Sequence, residues 1–187
     1  MRISQVAVQS TQVRVLLWFA ITAIPWCFAL HFGLLFEIND DVANILLFRE
    51  VFGSGSADSS IFVSSLFTHG LISLYRVNAE IPWYPLLVYL SLGAAQLLLL
   101  QLVGQSKVSP LLRLSLLLAI SSVVFKLALS SSFTASALMV SGSAMLYGFL
   151  EPVSKRSRRR LIAILFLAVG FLLRPGVFPV AILSFLP

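Results

Sequence analysis

Acids are scarce in this chain. Among 187 residues only Glu37, Asp40, Asp41, Glu50, Asp58, Glu80 and Glu151 carry a side-chain carboxylate, and six of these seven fall between Glu37 and Glu80. Histidine is rarer, at two residues, and cysteine rarest, at one. With Cys27 alone, neither an internal disulfide nor a CxxC motif can exist. His31 and His69, 38 positions apart, do not make a His/Cys metal cluster. A P-loop and a GxSxG nucleophile motif are missing as well. Charged residues of both signs make up 11% of the chain, against about 25% in ordinary soluble domains, so a water-exposed globular domain is excluded. No internal repeat stands out.

What is there is hydrocarbon. Apolar residues make up 59% of the chain and mean hydropathy is +0.99. Runs of about 20 apolar residues mark bilayer spans, and they recur throughout. Spans are predicted over 13–36, 82–103, 111–130, 133–150 and 161–186. The first is too long for a signal-peptide core and contains Pro25, which a membrane helix tolerates as a kink. Trp83 and Tyr84 open the second with aromatic rings suited to an interface. "LLRPG" interrupts the last near 174–176. The expected fold is an all-α integral membrane protein, one membrane domain over 1–187 with about five transmembrane helices. Its external loop, 37–81, carries two surface helices.

The bases orient it. The net charge of +6 and a pI near 10.1 raise the question of nucleic acid, but the bases lie between spans, where topology explains them. Arg2 and Arg14 precede the first span, and Lys107 and Arg113 border the turn after the second. Lys155, Arg156, Arg158, Arg159 and Arg160 follow the fourth. If the spans alternate, all nine fall on one side, which the positive-inside rule makes cytoplasmic. The expected location is the cell's inner (plasma) membrane, multi-pass, with a cytoplasmic N-terminus, the bilayer as partner and no nucleic acid. "SSSF" is read as a tight external turn, and "SKRSRRR" as a topology anchor.

Loops as long as 37–81 are uncommon unless functional. Asn39 or Asp40 can cap a helix "DVANILLFREVF", ended by "GSGS". A second helix is predicted from about Ile61 to Val77, where Ser65, Thr68, His69, Ser73 and Arg76 form a polar stripe at steps of three and four. Such a helix suits a membrane surface. Asp40 and Asp41 then sit just beyond the first span. Adjacent carboxylates repel, which biases one toward holding a proton and so toward acid–base work.

Lys126 and Arg174 are the only charges deep within spans. Lys126 lies 15 residues past Leu111 and Arg174 lies 13 past Leu161, which is about 22 Å and about 20 Å up from the cytoplasmic side. Both cations therefore reach the outer third of a layer about 30 Å thick. A cation there needs a partner or a wet cavity, and an Arg fork beside the helix breakers Pro175 and Gly176 is well shaped for phosphate. His69 reads as a polar residue on a helix surface, and no metal or other cofactor is expected. Ala137, Ser141, Ala144 and Gly148 form small-residue steps read as helix packing.

Taken in order, "NDD" at 39–41, "LY" at 74–75, "IPWY" at 81–84, "FTASA" at 133–137 and "GFLLRPG" at 170–176 resemble the GT-C class of polytopic glycosyltransferases, and more closely uncharacterised bacterial membrane proteins related to it. The resemblance implies a polyprenyl-phosphate sugar donor. It also implies Asp40 or Asp41 as base or acceptor-orienting residue, and Arg174 with Lys126 as phosphate ligands. His69 and Arg76 join them as candidate substrate contacts. GT-C enzymes generally have more spans than five, so the chain is expected to be a truncated product, a minimal module, or one subunit whose protein partner completes the fold. The alternative function is a non-catalytic carrier, flippase-like or accessory subunit that binds an anionic lipid.

Overall fold

Leucine-rich stretches punctuated by Gly, Pro and Ser fold here as a chain of helices. The computed structural model describes residues 23, 26–27, 31, 35–36, 39–49, 63–149 and 156–183. Over these residues the order is β1 (Leu35–Phe36), α1 (Asn39–Phe48), α2 (Ser65–Val77), α3 (Trp83–Gln105), α4 (Pro110–Leu129), β2 (Ser130–Ser131), α5 (Phe133–Phe149), α6 (Arg156–Leu173) and α7 (Val177–Leu183). The all-α expectation holds apart from one parallel bridge, two residues a side, pairing Leu35 with Ser130 and Phe36 with Ser131.

Among the described residues two helices, α3 and α4, are long and apolar enough to cross a membrane, each with a mean hydropathy of 2.0. Five spans are not shown. The described part of α5 is 17 residues, about 26 Å. The run expected to span 161–186 is divided into α6 and α7, and α6 begins inside the basic cluster, so "SRRR" is helix rather than loop. Most of 13–36 lies outside the described residues. Ala23, Trp26, Cys27 and His31 are helical, but Leu35 and Phe36 are extended, because the bridge to Ser130 and Ser131 takes the place of helical hydrogen bonds.

The bundle is organised around α5, which packs against α3, α6 and α7. Its small residues make this possible. Ala137, Ser141 and Ala144 are fully buried. A Cβ placed on Gly170 of α6 would overlap Ser141 Oγ and lie 3.3 Å from the Ala137 carbonyl oxygen. One placed on Gly148 of α5 would lie 3.2 Å from Ala163 Cβ. Ser141 to Gly148 and Ala163 to Gly170 are equal seven-residue steps taken in opposite directions, so α5 and α6 run antiparallel with their backbones close together.

On the other side α4 leans on α3. It buries Leu117, Ser121, Val124 and Ala128, a stripe at steps of four, three and four, and leaves Leu111, Leu114, Leu118 and Val123 exposed. Tyr89 Oη donates a hydrogen bond to the Ala128 carbonyl, joining the two helices. Trp26 packs on the same part of α3. Its ring meets Tyr89 edge-on at 5.5 Å, and its indole N–H donates to Gln96 Oε1 at 2.9 Å.

The largest core lies where the loop helices meet the bundle. Phe48 of α1, Val63, Leu71 and Tyr75 of the α2 region, Tyr84 and Val88 of α3, Phe133 of α5, Leu173 of α6 and Val177 of α7 are buried together. The second loop helix is thus a packed element. It starts at Ser65, four residues later than expected, because Ser64 caps it by accepting the Phe67 N–H at 3.3 Å. Thr68, expected on its polar face, is buried beside Leu71, Ile72 and Tyr75, whereas Leu66 is 71% exposed.

Candidate functional site

Arg174 owes its position to Pro175. Proline lacks a backbone N–H and disfavours helical geometry in the residue before it, so α6 closes at Leu173. The Arg174 N–H still donates to the Gly170 carbonyl at 3.0 Å, and the Arg174 carbonyl accepts from the Val177 N–H at 3.1 Å as α7 begins. The break is therefore a stapled corner. Leu173 and Val177 on either side are core residues, which holds Arg174 half-buried between them.

Its guanidinium is built into the start of α5. The charged carbon lies 4.8 Å from the centroid of the buried Phe133 ring, a cation–π contact, and Nη1 donates to Thr134 Oγ1. In sequence Thr134 lies within "FTASA" and Phe133 both there and at the end of the "SSSF" turn, and sequence reasoning gave neither a role. The signal was their place at the head of a helix directly after the external serine turn. The N-terminal end of α5 adds its own partial positive charge to that of Arg174.

The external loop is fastened to this corner. The Ser64 N–H donates to the Leu172 carbonyl at 3.3 Å, which pins the start of α2 to the end of α6. The bridge places Phe36 beside Ser131, so the chain leading into Asn39, Asp40 and Asp41 runs along the turn that leads into Phe133 and Thr134. Asp40 and Asp41 are helical, in the first turn of α1, one residue or two past its start at Asn39. Their side chains lie outside the described residues. Lys126 stands in the last turn of α4, four residues before the bridge, and is exposed. His69 and Arg76 lie two turns apart on the exposed side of α2, and the His69 carbonyl accepts from Ser73 Oγ at 2.9 Å.

The stretch "LYRVNAEIPWYPLL" is a joint between α2 and α3. Tyr75 Oη accepts the Tyr84 N–H at 3.1 Å, and the Trp83 indole donates to the Asn78 carbonyl at 2.9 Å. Asn78 Oδ1 accepts the Glu80 N–H at 2.9 Å, which closes the turn. Arg49, which sequence reasoning passed over, clamps the joint from α1. It donates to the Ala79 carbonyl at 3.0 Å and lies 5.5 Å over the Tyr75 ring. These contacts explain the motif mechanically: it fixes the angle at which the loop returns to the bundle.

Comparison with protein families, curated proteins and solved structures gave no match. Among the described residues no three His, Cys, Asp or Glu side chains gather as a metal site. What the corner offers chemically is a half-buried Arg fork at a helix N-terminus, covered by a packed loop that carries two adjacent carboxylates.

Proposed function

We propose that the chain is an integral membrane protein that takes a polyprenyl-phosphate-linked sugar at its loop-bearing end and passes the glycosyl group to an acceptor, as GT-C enzymes do. One observation carries the reading. Three stretches far apart in sequence, the acidic loop, the "FTASA" helix start and the "LLRPG" break, meet at one end of the bundle. In this scheme Asp40 or Asp41 removes the proton from the acceptor hydroxyl, whose oxygen forms the new bond to the anomeric carbon as the bond to phosphate breaks. The departing polyprenyl phosphate keeps that electron pair, and Arg174 with the N-terminus of α5 stabilises its charge. Lys126 supplies a second cation at the same end, and His69 with Arg76 contact sugar or acceptor from the exposed side of α2.

The exposed leucines of α4 support a lipid environment, since a face of that kind in water drives association. The polarity of the bundle supports the orientation, with the acid-rich loop at one end and the basic turns at the other. In a Cys27→Ala background, a cysteine at Ser56 is expected to react with an impermeant thiol reagent added outside cells, and a cysteine at Ser157 only after lysis. External labelling at Ser157 would invert the assignment.

The phosphate role is tested at Arg174. Arg174→Leu is expected to weaken binding of a polyprenyl-phosphate analogue by about 1.5–3 kcal/mol, the scale of a hydrogen bond to a charged group. Arg174→Lys, which keeps the charge but loses the planar fork, falls between Leu and wild type. Lys126→Leu costs less when Arg174 is already gone, because two contacts to one ligand are not additive. Unchanged affinity in Arg174→Leu, measured on folded protein in detergent, would remove Arg174 from the site.

A second reading has the same corner bind an anionic lipid without chemistry, as a carrier or accessory subunit. The contacts of Arg174 with Phe133 and Thr134 serve that reading as well. The two readings part at Asp40 and Asp41.

A further inference from the structure

Two polar side chains at the α3–α4 contact are buried with their hydrogen bonding incomplete. Gln96 of α3 is 0% exposed and Ser121 of α4 is 7% exposed. Among the described residues Gln96 Nε2 meets no acceptor, and Ser121 Oγ meets no partner of either kind. Turning the amide over does not cure this. The Trp26 indole N–H can only donate, so it holds Gln96 Oε1 toward itself and leaves the NH2 group facing away. Ser121 also departs from the other three serines of these helices. Ser91, Ser115 and Ser122 each donate to the carbonyl four residues back, whereas Ser121, next to Ser122, does not.

The register of α3 and α4 brings the pair together. The helices run in opposite directions, tied at one end by Tyr89 to the Ala128 carbonyl and at the other by Arg113 to the Ser106 carbonyl. Gln96 lies seven residues after Tyr89, and Ser121 lies seven before Ala128. Seven residues fall only about 20° short of two turns and advance about 10 Å, so each keeps the face of its counterpart and both reach one level. Gln96 therefore faces Ser121 across the contact, yet the two are not bonded to each other. A group that accepts from the amide and donates to the hydroxyl completes both. Its size is bounded by its surroundings: Leu92 beside Gln96, and Val124 and Ala128 on the stripe of Ser121, are buried and leave no opening for a sugar or a headgroup. A water molecule meets both demands.

We propose that one water is held here, accepting from Gln96 Nε2 and donating to Ser121 Oγ. Trp26, Gln96, the water and Ser121 then form one hydrogen-bonded chain across three segments. Through Trp26 it ties the segment that leads to β1 and the acidic loop onto α3 and α4. The site is independent of the Arg174 corner and stands under either reading of it.

A crystal structure of the full chain grown from lipid, at a resolution that shows ordered water, tests this directly. One water is expected within hydrogen-bonding distance of both Gln96 Nε2 and Ser121 Oγ. A direct bond between the two side chains, Ser121 turned back onto the Leu117 carbonyl, or a larger molecule between them would overturn the proposal. Thermal unfolding in detergent supplies a second measurement. Ser121→Ala is expected to lower Tm by about 2–4 °C, the scale of one lost buried hydrogen bond in a chain of this length. Gln96→Leu is expected to lower it further, because it also removes the acceptor of the Trp26 indole. Adding Ser121→Ala to Gln96→Leu should then cost almost nothing more, since the water has already lost its place. Fully additive losses would sink the shared water. Where Gln96→Leu does not fold, the wild-type density alone decides.

Discussion

Asparagine at Asp40 or at Asp41, whichever residue is the base, is expected to lower glycosyl transfer by a factor of about 10²–10⁴, the usual contribution of a positioned general base. The amide keeps the size and shape of the carboxylate, so insertion and folding should be preserved. What it loses is a basic oxygen for the acceptor's proton. Affinity for a polyprenyl-phosphate analogue should stay within about twofold of wild type, because in this scheme the phosphate is held by Arg174 and the start of α5. The measurement is transfer from a panel of polyprenyl-phosphate sugars in proteoliposomes, paired with analogue binding in detergent. Full activity in both single variants and in the double variant would dismiss the carboxylates from catalysis. Binding without transfer by the wild-type chain, across the panel, favours the carrier or accessory reading.

Alanine at Gly170 is expected to destabilise the α5–α6 pair by about 1–3 kcal/mol, the cost of forcing an extra methyl into a close-packed contact. The new Cβ overlaps Ser141 Oγ, and rotating that hydroxyl away does not suffice, since Ser141 Cβ and the Ala137 carbonyl oxygen each stand 3.3 Å off. The helix axes must separate. Ser141→Gly removes both Ser141 atoms and should recover part of the loss in the double variant, even though glycine within a helix carries its own penalty of roughly 0.5–1 kcal/mol. Resistance to unfolding in detergent, followed by helical signal or by protease, reads the effect. Because Gly170 lies one helical turn from Arg174, the same variant should weaken polyprenyl-phosphate binding. A Gly170→Ala protein as stable as wild type would mean that the two helices do not approach as closely as described.

Much of the architecture was legible because it follows from local rules. Long leucine-rich runs specify helix and the Pro175–Gly176 pair specifies a break; the structure has both. The small-residue steps on α5 were legible too, since close helix contacts need them. Span count was less so. Apolar composition does not reveal that "SRRR" is helical or that the chain is extended at Leu35. For α2 the polar stripe misled at Thr68, because Ser64 sets the helix register and the core lies on the side that Thr68 shares with Leu71 and Tyr75.

By itself the sequence determined the material of this protein: hydrocarbon helices, acids gathered in one segment, bases in others, and an arginine set against a proline. Those are properties of single stretches, fixed by composition and by interactions a few residues long. Only the tertiary structure decided that Arg174 rests on Phe133 and Thr134, that Ser64 fastens the loop to Leu172, and that Arg159 reaches Gln105. Each of these pairs spans 40 or more residues. A contact of that length depends on which helix faces which, and close packing along α5, through residues without chemistry of their own, sets that for α3, α6 and α7.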